Sequence, residues 1–194
     1  QDWAYYFLSQ LFVISSFIII FKFSEYFFNE KIYSLLSVLI LEGIYFYNFT
    51  TPEFNVNVCQ LPFWSLTVYY CWKGIEKNDS IIWLIFGSVA ALGVLSKYLF
   101  IYLLIGIDIF FIYLIISGKF NSKVFISLIS FFLILTPHIF WLINNDYSTI
   151  NYAIFRSVND PLSGFESSKF LNHIIYPLIF LGKQIGLLIP FLLM

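Results

Sequence analysis

Residues 81–117 read IIWLIFGSVAALGVLSKYLFIYLLIGIDIFFIYLIIS, with Lys97 and Asp108 as the charged side chains in the stretch. As one helix it would run about 54 Å at 1.5 Å per residue, whereas the hydrocarbon layer of a bilayer is about 30 Å thick. The chain therefore has to turn inside the stretch, near residues 95–99. Two apolar segments result, 81–96 and 98–117, joined by almost no loop. Lys97 sits in the turn, at or just below a membrane interface.

The rest of the chain repeats the pattern. Further segments of spanning length are 4–21, 32–49, 56–72, 124–143 and 170–194. Apolar residues make up 60% of the chain and charged residues 11%, and mean hydropathy is +0.87. So few charges cannot cover that much apolar surface in water, so the solvent is lipid. Backbone groups in hydrocarbon must be satisfied within their own segment, which predicts helices. A β-barrel needs alternating segments of about ten residues, and runs such as 17–21 and 128–135 do not alternate. The predicted fold is all-α: a polytopic transmembrane helical protein. Residues 1–194 are read as part of one transmembrane domain with about seven hydrophobic segments and an outward loop at 144–169. The chain opens on Gln1 and stops at Met194 inside an apolar run, and it is read as a piece of a longer protein.

Positive residues choose sides. Lys22, Lys31, Lys73, Lys77, Lys119 and Lys123 fall in three joints that share one side if every segment crosses. The opposite joints hold Lys97, Arg156 and Lys169. This bias puts the first group in the cytoplasm, and Lys97, the loop around Glu53 and the 144–169 segment outside. A net charge of −1 offers no basic field for nucleic acid. Cys59 and Cys71 have neither disulfide-framework nor zinc spacing and read as packed or lipid-facing thiols.

A lysine in the setting Gly-Val-Leu-Ser-Lys-Tyr-Leu-Phe (93–100) must either snorkel to the interface or meet an anion. Arg156 is the chain's one arginine, and its planar fork suits a phosphate, or else it is a solvated loop residue. It shares the 144–169 segment with Asp146 and with Ile150, Ala153, Ile154 and Val158, which line one face of a short interfacial helix. Glu53 follows Pro52 just before the third segment. It is open to two readings: an acid/base or sugar-hydroxyl acceptor, or a carboxylate complementing a helix dipole. Glu42, Asp108 and Lys183 are intramembrane charges, each a functional candidate, a partner for another helix or a residue near an interface. His138 and His173 read as packed histidines. No metal-ligand spacing, Walker loop, G-x-G-x-x-G or G-x-S-x-G occurs. Asn48-Phe49-Thr50 matches a glycosylation sequon but abuts a segment end.

Several stretches, in order, resemble membrane glycosyltransferases of family 39, the group of protein mannosyltransferases and aminoarabinose lipid A transferases. WLIFGSVAALGVLSKYLF (83–100) resembles the family's W-x-x-x-G…G-L-x-K-Y helix. PHIFWLINNDYSTINYAIFR (137–156) resembles its P-x-x-x-W-N…D-(aromatic)…F stretch, and LGKQIGLLIP (181–190) its G-x-Q-x-G-L-x-x-P helix. TPEFNVNVCQLPFW (51–64) stands where the family has T-P-D-…-F-W, with Glu53 in place of Asp.

The resemblance implies a GT-C-like membrane domain. It implies transfer of a sugar from a polyprenyl-phosphate donor to a lipid or protein acceptor on the extracytoplasmic side. It also implies a general base in the first outward loop, upstream of the aligned residues. The catalytic base is therefore expected upstream of residue 1, and Asp2 is not assigned to that role. The implied substrate-binding residues are Lys97 and Arg156 toward phosphate, and Glu53 and Asp146 toward the sugar or a divalent metal. No cofactor is otherwise expected. The expected location is the bacterial inner (plasma) membrane. The alternatives are a polytopic transporter or lipid flippase subunit, which needs mid-membrane polar groups or repeated halves, and a structural subunit in which no outward residue matters for activity.

Overall fold

The computed structural model describes residues 3–44, 47, 51–158 and 169–192. In α7 and α8 it describes the side chains of 148–155, 171 and 174–186. All regular structure among them is helical, the solution open to a backbone that lipid cannot hydrogen-bond. The helices are α1 (Trp3–Ser24), α2 (Lys31–Gly43), α3 (Val56–Lys77), α4 (Ser80–Ser96), α5 (Ile101–Ile116), α6 (Ile126–Asn144), α7 (Ser148–Val158) and α8 (Lys169–Leu192). Single 3-10 turns at Tyr98–Phe100 and Ser122–Phe125 lead into α5 and α6.

Trp3–Ser24, Tyr98–Ile116 and Ser122–Asn144 are long and apolar enough to cross a membrane, while Ser80–Ser96 and Ile174–Gly186 are shorter apolar helices. α3 has the length at 22 residues, but its ends carry Asn57, Gln60, Lys73, Glu76 and Lys77. The protein is an all-α integral membrane protein. The turn expected inside 81–117 is present: α4 ends at Ser96, Lys97 is extended (φ −164°, ψ 128°), and the chain re-enters a helix through Tyr98–Phe100.

Contacts divide the chain into two compact units, Gln1–Thr136 and Pro137–Met194. In the first, α1 and α3 run parallel. The Ser16 and Ser65 hydroxyls meet at 2.7 Å, Phe12 packs on Phe54 near one end, and Phe23 packs on Trp72 near the other. Val13, Val58 and Leu61 form a small core at the first end. α4 returns antiparallel to α3. A second core of Cys71, Trp83, Phe86, Phe111, Leu114 and Val124 lies toward the far end.

Lipid gives helices little hydrophobic reason to associate, so close backbone approach and interhelical hydrogen bonds carry the packing. Two glycines of α4 show it. A Cβ on Gly87 would lie 2.0 Å from the Ser127 carbonyl oxygen, and beside it Ser130 Oγ donates to the Leu84 carbonyl at 2.8 Å. A Cβ on Gly93 would lie 2.4 Å from Phe100 Cζ. The Trp83…Gly87…Gly93 pattern is thus a packing surface. Trp83 is fully buried, Gly87 admits α6, and Gly93 admits the Phe100 ring.

In the second unit, the chain leaves α6 through two residues in the left-handed region, Asp146 (φ 49°) and Tyr147 (φ 54°). Asn151 Nδ2 donates to the Asp146 carbonyl at 2.7 Å, tying the turn to α7. The short helix expected from the spacing of Ile150, Ala153, Ile154 and Val158 is α7.

Candidate functional site: a cation at the break between two apolar helices

A lysine at the end of an apolar helix needs something to hold its ammonium. Lys97 has a neutral holder: its Nζ donates to the side-chain carbonyl oxygen of Asn57, forty positions earlier in the chain. Both residues are half-buried.

Each side of this link is fixed locally. On the α4 side, the Lys97 N–H donates to the Gly93 carbonyl at 3.2 Å, and its own carbonyl accepts from the Phe100 N–H at 2.9 Å. The fully buried Phe100 fills the space over Gly93 and meets Trp64 edge-on at 5.8 Å. On the α3 side, Asn55 is the N-cap, its Oδ1 accepting from the Asn57 and Val58 N–H groups at 2.8 and 3.2 Å. Its Nδ2 donates to the Glu53 carbonyl at 3.3 Å. The loop before it is pinned to α1, where Ser9 Oγ donates to the buried Thr51 carbonyl. The ammonium therefore rests at the first turn of α3, where the helix dipole is positive.

Glu53 is exposed and lies two residues ahead of the cap. The N-cap of α3 is the Asn55 amide. Lys97 and Glu53 belong to the first unit. Asp146 belongs to the second, where its side chain is exposed. The backbone of Arg156 lies in α7, but its side chain is outside the described residues, as are Asp2, Asn48, Asn159, Asp160, Glu166 and the side chains of Lys169 and His173.

The other intramembrane charges sit elsewhere. Glu42 is exposed in the last turn of α2, and Lys183 is exposed within α8. Asp108 lines a cavity of about 360 Å³ with Phe86, Gly87, Ala90, Phe111 and Ser127. His138 stacks on Trp141 at 5.8 Å. Cys71 is buried and Cys59 half-buried, both as free thiols. Among the described residues no three His, Cys, Asp or Glu side chains gather to hold a metal ion.

The opposite ends of α1 and α3 hold cations differently. Lys73 Nζ lies over the Tyr69 and Tyr70 rings at 5.3 and 5.7 Å, and Lys123 Nζ donates to the Asn78 carbonyl at 2.8 Å. Tyr26 beside them has its phenol pushed up to about 12 by desolvation, then by a hydrogen bond and charge from Tyr69 and by charge from Glu76. It stays protonated through the neutral range.

Asn55 and Asn57 were not among the residues predicted from the sequence. Asn55 carried a signal, an Asn directly before an apolar run. Asn57 carried none, because its role depends on a contact across forty residues.

Residues 1–141 match the family described as dolichyl-phosphate-mannose-protein mannosyltransferase. The chain belongs to that family, membrane glycosyltransferases that draw on polyprenyl-phosphate-linked sugars. The matched residues include Glu53, Asn57 and Lys97, while Asp146 and Arg156 lie beyond them. No curated protein and no solved structure matched the chain.

Proposed function

We propose that the chain is the part of a glycosyltransferase that grips the phosphate of a polyprenyl-phosphate sugar at the extracytoplasmic face, while the sugar passes to a lipid or protein hydroxyl. The observation that carries this is the Lys97 ammonium at the first turn of α3, held by an uncharged amide, in a chain of this family.

The chemistry follows from where charge develops. The acceptor oxygen attacks the anomeric carbon, its proton goes to a base, and the bond to the phosphate oxygen breaks. The electron pair leaves with the lipid phosphate. That oxygen is more negative in the transition state than in the bound donor, so a fixed cation beside it lowers the barrier. Lys97 supplies a point charge and the first turn of α3 a partial one. In this proposal Arg156, with its planar fork, is a second candidate for phosphate, and Glu53 and Asp146 are each candidates to accept a sugar hydroxyl. None of these residues is assigned as the base.

The proposed sidedness follows the lysine bias, with the end bearing Lys22, Lys73 and Lys123 in the cytoplasm of a bacterial inner membrane. The family match supports transfer and lends nothing to a transporter. The test is transfer from a radiolabelled polyprenyl-phosphate sugar by the full-length enzyme in membranes. Lys97→Ala and Arg156→Ala are expected to insert normally and lose transfer. Wild-type rates in both would overturn the phosphate grip.

A further inference from the structure

We propose that Asn57 is a positioning residue for Lys97, and that its value is to hold the ammonium without neutralising it. This rests on the phosphate reading above and adds a residue that no motif assigns.

A lysine ammonium has three N–H donors and a flexible four-carbon stem. Left alone at a helix break, it would snorkel toward whichever water it could reach. Asn57 Oδ1 accepts one of the three donors, which fixes the position of Nζ and leaves two donors for an anion. The holder is itself rigid. The Asn57 N–H is bound by the Asn55 cap at 2.8 Å, the next residue, Val58, is buried against α1, and the Lys97 backbone is clamped between Gly93 and Phe100.

The choice of an amide matters. A carboxylate in the same place would hold the lysine more tightly but would form an ion pair, cancelling the charge a phosphate needs. An aliphatic residue would leave the charge unplaced. Asparagine combines fixed position with full charge. The opposite end of the bundle shows that the chain has other ways to settle a lysine, over tyrosine rings and on a backbone carbonyl.

The discriminating variant is Asn57→Asp, which is almost isosteric and keeps the contact. In the full-length enzyme it is expected to lower kcat/KM for the polyprenyl-phosphate sugar at least thirtyfold at neutral pH. The loss should fall on kcat more than on KM, because the unpaired charge is needed most as the phosphate leaves. Asn57→Ala is expected to lose about tenfold. Adding either change to Lys97→Ala should cost nothing further. If Lys97→Ala abolishes transfer while Asn57→Asp keeps the wild-type rate, the positioning role is wrong and the phosphate grip stands. If Lys97→Ala itself transfers normally, the grip fails and Asn57 with it. Membrane yield and thermal midpoint of each inserted variant separate a misfolded protein from an inactive one.

Discussion

The two ends of the α3–α4 pair treat lysine in opposite ways. At one end Lys73 lies over two tyrosine rings and Lys123 sits on a backbone carbonyl. Tyrosine and tryptophan are common at membrane interfaces, where they meet both water and hydrocarbon. A cation over aromatic rings contributes about 0.5–1 kcal/mol at an exposed site and more when desolvated; Lys73 is half-buried and Lys123 exposed. At the other end Lys97 is half-buried on one side-chain amide, inside a turn closed by Gly93 and Phe100. The first arrangement tolerates movement, and the second fixes a position. Lys123 also meets a distant group, a backbone carbonyl, so what sets the other end apart is a side-chain amide beside a closed helix break, and that is where function is expected.

Four comparisons in the full-length enzyme break or sharpen that contrast. The largest effect is expected at Lys97: Lys97→Ala should lower kcat/KM for the donor by about 100- to 1000-fold, the range seen when one fixed donor to a developing charge is removed. Transfer assays in membranes at matched protein levels measure it. Arg156→Ala should cost about 10- to 100-fold, with Arg156→Lys recovering only part because the planar fork is lost. Gly93→Ala comes next. The new Cβ would meet the Phe100 ring at 2.4 Å, and overpacking of this kind typically costs about 1–3 kcal/mol. Displacing Phe100 also displaces Lys97, so about tenfold lower activity should accompany a lower thermal midpoint. Gly106→Ala, which meets nothing within 4 Å, should do neither. The smallest effect is expected at Lys73→Ala, a change under about twofold. A large loss there would erase the difference between the two ends.

Much of this fold could be read in the sequence because lipid imposes a strong rule. The length of residues 81–117 demanded a turn near Lys97, and the structure turns there. The spacing of Ile150, Ala153, Ile154 and Val158 gave α7. Lys97 stood out because a charge in an apolar run is costly. What stayed hidden was pairwise. Nothing in Val56-Asn57-Val58 says that the amide meets a lysine across two helices. The Trp83, Gly87 and Gly93 pattern could be quoted as a family motif, yet its physical reason, close approach of α6 and of Phe100, appeared only with the packing. Glu53 was legible as a candidate, whereas the residue that caps α3, Asn55, was not singled out.

The central claim is that a positive charge at position 97, reached from the extracytoplasmic side, assists departure of the lipid phosphate. Its most direct test starts from full-length enzyme in which Cys59 and Cys71 are replaced by serine and Lys97 by cysteine. Sealed vesicles exposing the extracytoplasmic face are treated with a membrane-impermeant thiol reagent that adds an ethylammonium group, or with a neutral reagent of the same size. Transfer should be lost in the cysteine variant, return in large part with the cationic adduct, and stay lost with the neutral one. Equal transfer with either adduct, or full activity in the untreated variant, would contradict the claim.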